Sequence, residues 1–119
     1  MRHLNTPSLA IARQSLRDAM GRCGYLPSVT DDAELALVEL LVNAWRHGGT
    51  PAPLVLILAV GPTLRVSVSD ESPDLPKKQA PAPLAQSGRG LQLIEGLTHR
   101  WGVDPQERGK MVWFELDAA

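Results

Sequence analysis

The sequence contains one cysteine, Cys23, which excludes an internal disulfide and any zinc cluster built on several thiolates. A lone thiol fits a reducing compartment, so a cytoplasmic protein is expected. Long apolar runs are also missing. The longest, residues 54–60, falls far short of the ~20 residues that a membrane helix needs. The first residues lack the charged-then-apolar order of a secretion signal, and no segment is expected to span or target a membrane. Neither sign of charge dominates. Twelve Lys and Arg stand against thirteen Asp and Glu for a net charge of −1. The basic residues form no stripe, which excludes direct nucleic-acid binding driven by phosphate neutralisation. His3, His47 and His99 show no ligand spacing with one another or with Cys23. The Gly-x-Ser-x-Gly nucleophile elbow and the Gly-x4-Gly-Lys-Ser/Thr phosphate loop are both absent. Aromatic residues are few, and Trp45, Trp101 and Trp113 read as packing residues rather than a cofactor cage.

The 119 residues amount to one domain, since compact domains cluster around ~100–150 residues. A chain of this size buries roughly two-thirds of its unfolded surface and needs no staple. Leu9, Ala12, Leu16, Ala19 and Met20 recur at helical spacing and predict a first helix with Ser8 as N-cap and a stop near Gly21 or Gly24. A loop containing Pro27 follows. A second helix is capped by Thr30 or Asp31, carries Asp31, Asp32 and Glu34 near its positive end, runs to Trp45 and closes at His47-Gly48-Gly49. Its residues Leu37, Leu40, Leu41, Ala44 and Trp45 share an apolar face.

Residues 54–60 and 64–70 read as a hairpin around Gly61-Pro62-Thr63, the second strand alternating Leu64, Val66, Val68 and Asp70 with polar residues. Residues 71–89 hold four prolines and little periodicity, as a lid would. Ser87-Gly88-Arg89-Gly90 opens a third helix carrying Leu91, Ile94 and Leu97. Two closing strands, 99–103 and 110–116, are joined by a turn through Asp104-Pro105 and Gly109. This order predicts an α+β two-layer sandwich.

Three groups of residues carry chemical possibilities. Glu39 and Asn43 share one helix face, where a carboxylate and a carboxamide suit Mg²⁺ or its waters and a proton acceptor. The same pair also reads as a solvated polar stripe. Asp70 falls on the inward face of its strand, where it either accepts a hydrogen bond from a ligand amine or caps the next turn. Gly88 and Gly90 at a helix N-terminus let backbone N–H groups approach a phosphate, with Arg89 and Arg46 as added charge, although glycine pairs often only mark turns and exposed arginines often only solubilise.

In this order, Glu39-Leu-Leu-Val-Asn43-Ala44-Trp-Arg46-His47, Val-Ser-Val-Ser-Asp70 and Gly88-Arg89-Gly90-Leu91 resemble the N, G1 and G2 boxes of the GHKL ATP-binding family. The resemblance covers roughly residues 9–116. The helix-two stretch, the short length and the ending Gly109-Lys-Met-Val-Trp-Phe-Glu-Leu are most similar to the anti-sigma-factor serine kinases and their actinobacterial relatives. It implies a Bergerat fold, a mixed and mostly antiparallel sheet with helices on one face, binding ATP and Mg²⁺. By the same resemblance Asn43 is the Mg²⁺ ligand, Glu39 the catalytic base and Asp70 the reader of the adenine amine. Gly88 and Gly90 flank the phosphates together with Arg89 and Leu91, and Arg46 is a phosphate contact. Two departures stand out. Asp70-Glu71-Ser72 replaces Asp-x-Gly, and Met111 takes the place of a last-strand Thr that assists the Asp.

The function so implied is an ATP-dependent regulator that sequesters a sigma factor and phosphorylates a serine of an anti-anti-sigma antagonist, with a homodimer compatible. The alternative is a non-catalytic protein-binding module on the same fold with a degenerate nucleotide site, favoured by Ser72 and Met111. A detached histidine-kinase catalytic domain is weakened by the lack of room for a dimerisation helix pair with its phosphoacceptor His. A gyrase-like ATPase is weakened further by the lack of a transducer domain.

Overall fold

The first described element is a helix that is stopped by a glycine just beyond its end. The computed structural model describes residues 6–46, 49–50, 53–72 and 86–118, with side chains from residue 9 and, in the last helix, from residue 92. Helix α1 spans Thr6–Arg22, so Ser8 lies inside its first turn and is not the cap. The chain continues helically through Gly21 and stops at Gly24, whose φ of 79° no side-chained residue adopts cheaply. The Gly24 N–H donates to the Gly21 carbonyl and the Tyr25 N–H to the Met20 carbonyl, the paired bonds of a Schellman stop.

Helix α2, Pro27–Arg46, starts a turn earlier than expected. Proline is at home in a first turn because its missing N–H would have no helical acceptor there. Thr30 is therefore buried inside the helix, with its hydroxyl on the Leu26 carbonyl, and neither Thr30 nor Asp31 is the cap. No acidic residue occupies the first turn. Glu34 instead accepts hydrogen bonds from Arg13 and Arg17 of α1, clamping the two helices. The apolar stripe of α2 is as expected at Leu37, Leu40, Leu41 and Ala44, all buried; Trp45 is half-buried.

Strands β1 (Val55–Val60) and β2 (Thr63–Asp70) pair with Val60 opposite Thr63, leaving Gly61-Pro62 as a two-residue loop. Gly61 has φ 57° and proline holds φ negative, the combination of a type II′ turn, whose twist matches that of the strands. Helix α3 spans Gln86–Leu97. Strands β3 (Arg100–Pro105) and β4 (Lys110–Asp117) follow, so Asp104 and Pro105 belong to the strand rather than to the turn. A proline is tolerated there because β3 is an edge strand. The turn is residues 106–109, closed by the Gln106 N–H on the Gly109 carbonyl.

The sheet order is β1-β2-β4-β3 and every pairing among the described residues is antiparallel. Helix α2 packs on β2 between α1, which lies over β1, and α3, which lies over β3. The α+β sandwich is thus the observed architecture. Leu64, Val66, Val68, Val112, Phe114 and Leu116 alternate inward to meet Leu16, Met20, Leu37 and Ile94. Each such side chain contributes about 1.5–3 kcal/mol on burial. On the opposite sheet face, Arg65 stacks on the Trp113 ring at 4.0 Å, and Leu54, Leu56, Leu58 and Val60 are exposed along β1.

Candidate functional site

The strand period carries Asp70 inward with Leu64, Val66 and Val68, and at the end of β2 it is 7% exposed. A carboxylate there requires partners. Its Oδ1 accepts the Ser72 N–H at 2.8 Å, the turn cap that an inward Asp at a strand end allows. A second partner comes from β4. The register sets Lys110 directly opposite Asp70, with Nζ 3.3 Å from Oδ1 and 3.0 Å from the Ser72 carbonyl, to which it donates. Lys110 is 5% exposed, so both charges of the pair are buried.

This register corrects the place given to Met111. Met111 pairs with Ser69 and belongs to the opposite set of alternating residues in β4, so the last-strand side chain beside Asp70 is Lys110. The strand alternation of Val112, Phe114 and Leu116 contained that signal, since Lys110 shares their parity. Ser72 likewise stands in a backbone that needs no glycine, because no described non-glycine residue has a positive φ. The close approach belongs to Gly109, at φ 74°, whose absent side chain makes room for the Asp70 carbonyl and the Glu71 backbone.

Thr50 joins this strand end to α2. Its N–H donates to the Ala44 carbonyl at 3.0 Å, and its hydroxyl accepts the Glu71 N–H at 2.9 Å. Each bonded residue neighbours a predicted site residue, Asn43 in one case and Asp70 in the other, so the C-terminal ends of α2 and β2 form one corner of the molecule. No feature of the sequence had singled out Thr50. Glu39 and Asn43 are both half-buried and stand off the fully buried stripe of α2. Arg46 is exposed as the last residue of α2, where its charge also complements the helix dipole.

Gly88, Arg89, Gly90 and Leu91 lie in the first turns of α3, which packs against α2. The first four N–H groups of an α-helix lack intrahelical acceptors, and in α3 these belong to residues 86–89. The expected lid divides into three parts: Glu71 and Ser72 continue from β2, residues 86–89 are helical, and 73–85 lie outside the described residues, as does His47. Among the described residues no cluster of three or more His, Cys, Asp or Glu could hold a metal, and no helix is long and apolar enough to cross a membrane.

Comparison with known proteins adds to this geometry. Residues 4–116 match the sequence pattern described as a histidine kinase-like ATPase domain. An uncharacterized protein of Streptomyces coelicolor is similar at 36% identity over 73 residues, which cover 57% of this chain and 69% of that protein.

Proposed function

The chain belongs to the histidine kinase-like ATPase domain family, which implies ATP binding, and from that premise we propose an anti-sigma-type regulator that phosphorylates a serine of an anti-anti-sigma protein. The whole chain acts as one ATP-binding domain with its core at about residues 9–116. The observation that carries this reading is the corner where Thr50 ties the end of α2, the helix of Glu39 and Asn43, to the end of β2, the strand of Asp70. The similarity of the α2 stretch to the anti-sigma kinases supports the finer assignment.

In this mechanism Asp70 accepts the exocyclic amine of adenine. The N–H groups of the first turn of α3 hold phosphate oxygens, with Arg89 and Arg46 adding charge. The donors present fit a magnesium ion, since Asn43 offers a hard oxygen from a half-buried helix flank and Mg²⁺ takes few protein ligands beside phosphates and waters. When bound, ATP would supply the phosphoryl group and Mg²⁺ would neutralise its charge. Glu39 accepts the proton of the substrate serine hydroxyl as that oxygen bonds to the γ-phosphorus and ADP departs.

A second reading, a non-catalytic binding module, is favoured by the Asp70–Lys110 pair, which gives the base-reading carboxylate an internal cation. Calorimetric titration of the protein with ATP, with and without Mg²⁺, followed by transfer of labelled phosphate to an anti-anti-sigma protein, separates the readings. Binding with transfer supports the kinase. Binding without transfer supports the module, and no heat or thermal stabilisation at millimolar nucleotide removes the ATP-dependent function.

A further inference from the structure

The alternation that packs Val55 and Ile57 of β1 against the core turns Leu54, Leu56, Leu58 and Val60 to the sheet face opposite the helices, where each is more than half exposed. The backbone alternates too. The Leu54 carbonyl accepts the Ser69 N–H at 2.9 Å, so Leu54 aims its backbone polar groups at β2, and Leu56, Leu58 and Val60 are in step with it. The N–H and C=O groups of Val55, Ile57 and Ala59 therefore point away from β2, along a margin that no strand covers among the described residues. The register with β2 runs unbroken from Val55 to Val60, so no bulge twists this margin away, and residues 54–60 contain neither charge nor proline.

Ile57 is the midpoint of residues 54–60, which makes the strand complementary to itself. Laid antiparallel against a second copy with Ile57 opposite Ile57, Val55 meets Ala59, and these outward-facing residues form the hydrogen-bonded pairs. Leu54 then meets Val60 and Leu56 meets Leu58, the pairs whose side chains stand closer. One register thus serves the outward backbone groups and the apolar column together. A slip of one residue would send the two columns to opposite faces. A charged strand would set its charge against four apolar side chains, whereas a second β1 brings none.

We propose that β1 is the contact through which two copies of this chain pair, joining their four-stranded sheets into one continuous sheet about a two-fold axis at Ile57. Because Asp70 lies near the Leu54 end of the hairpin, the two Asp70 residues fall at opposite ends of the joined sheet. A contact made by one strand is small, so the dissociation constant is expected to be on the order of 10 µM.

The test is sedimentation velocity of the full chain without nucleotide from about 1 to 300 µM, a range that brackets this constant. The wild type is expected to pass from monomer to dimer. Leu56→Lys and Leu58→Glu alter exposed positions, and each alone is expected to stay monomeric, because an apolar pair is lost and two like charges become diagonal neighbours. Their equimolar mixture is expected to form a one-to-one pair, since the introduced lysine falls opposite the introduced glutamate and the other Leu56–Leu58 pair survives. Amide exchange of the wild type reads the same contact without substitution and should slow at Val55, Ile57 and Ala59 as concentration rises. A wild type that stays monomeric overturns the proposal and leaves the margin to an extended segment of a different protein. A dimer that persists in both single variants, or that leaves the three amides unprotected, overturns the placement at β1, and single variants that stay monomeric when mixed overturn the register.

Discussion

Gly109 stands so close to Asp70 that a Cβ built on it would lie 2.0 Å from the Asp70 carbonyl oxygen. The β3–β4 turn thus buttresses the end of β2 through bare backbone, and it adopts φ 74° to do so. Gly109→Ala is expected to cost about 1–2 kcal/mol for the left-handed backbone, with a further loss because strand and turn must separate. Gly24→Ala is the control, since φ is 79° there but the space is open. Urea denaturation of the two variants checks this. Equal losses would show that the close approach carries no energy.

The buried pair makes a stability prediction independent of any ligand. Lys110→Met leaves the Asp70 carboxylate without its cation and should destabilise by about 3–5 kcal/mol, whereas Asp70→Asn/Lys110→Met removes both charges and should recover most of that. Chemical denaturation of the wild type, both single variants and the double variant gives the coupling. Additive losses would mean that the two side chains do not interact.

Catalysis and nucleotide binding separate at α2. Glu39→Gln keeps the size of the side chain and removes the proton acceptor, so nucleotide affinity should hold while phosphotransfer falls ~10²- to 10⁴-fold. Asn43→Ala should lose Mg²⁺-dependent binding and turnover together. Single-turnover transfer and titration with and without Mg²⁺ read the two effects. Full kinase activity in Glu39→Gln refutes the base assignment.

Much of this was legible because burial imposes periodicity. The hairpin of β1 and β2, the inward placement of Asp70 and the apolar stripe of α2 follow from alternation and helical spacing alone. Helix starts were less legible: Thr30 and Asp31 have the chemistry of caps, yet Pro27 begins the helix and the burial of Thr30 decides the matter. Long-range pairing was least legible. The parity of Lys110 with Val112 is visible in the sequence, but its partner is not until the register sets it across from Asp70, and Thr50 matters only because the ends of α2 and β2 converge on it.

Acid should weaken the fold in a defined window. Arg100 first, and then Thr63, hold the Asp117 carboxyl down at about 2, below its ordinary 3.8. Arg17 likewise holds Glu34 below the usual range. A depressed carboxylate stabilises the fold above its unfolded pKa, and that contribution disappears as pH falls through the folded value. The stabilities of the wild type and Asp117→Asn should therefore differ most at neutral pH and converge between pH 3.8 and about 2. Thermal melts across that range test it, and high salt should narrow the difference because the pair is exposed.

The two margins of the sheet are unlike. Strand β3 ends in Pro105 and carries Arg100 and Asp104, which blunt it against further pairing. Strand β1 has no charged residue, and Leu54, Leu56, Leu58 and Val60 are 51–62% exposed. Were two copies of this sheet to pair through β1, both receptive margins would be used up and only refractory ones left outside, so such an association would stop at a discrete pair.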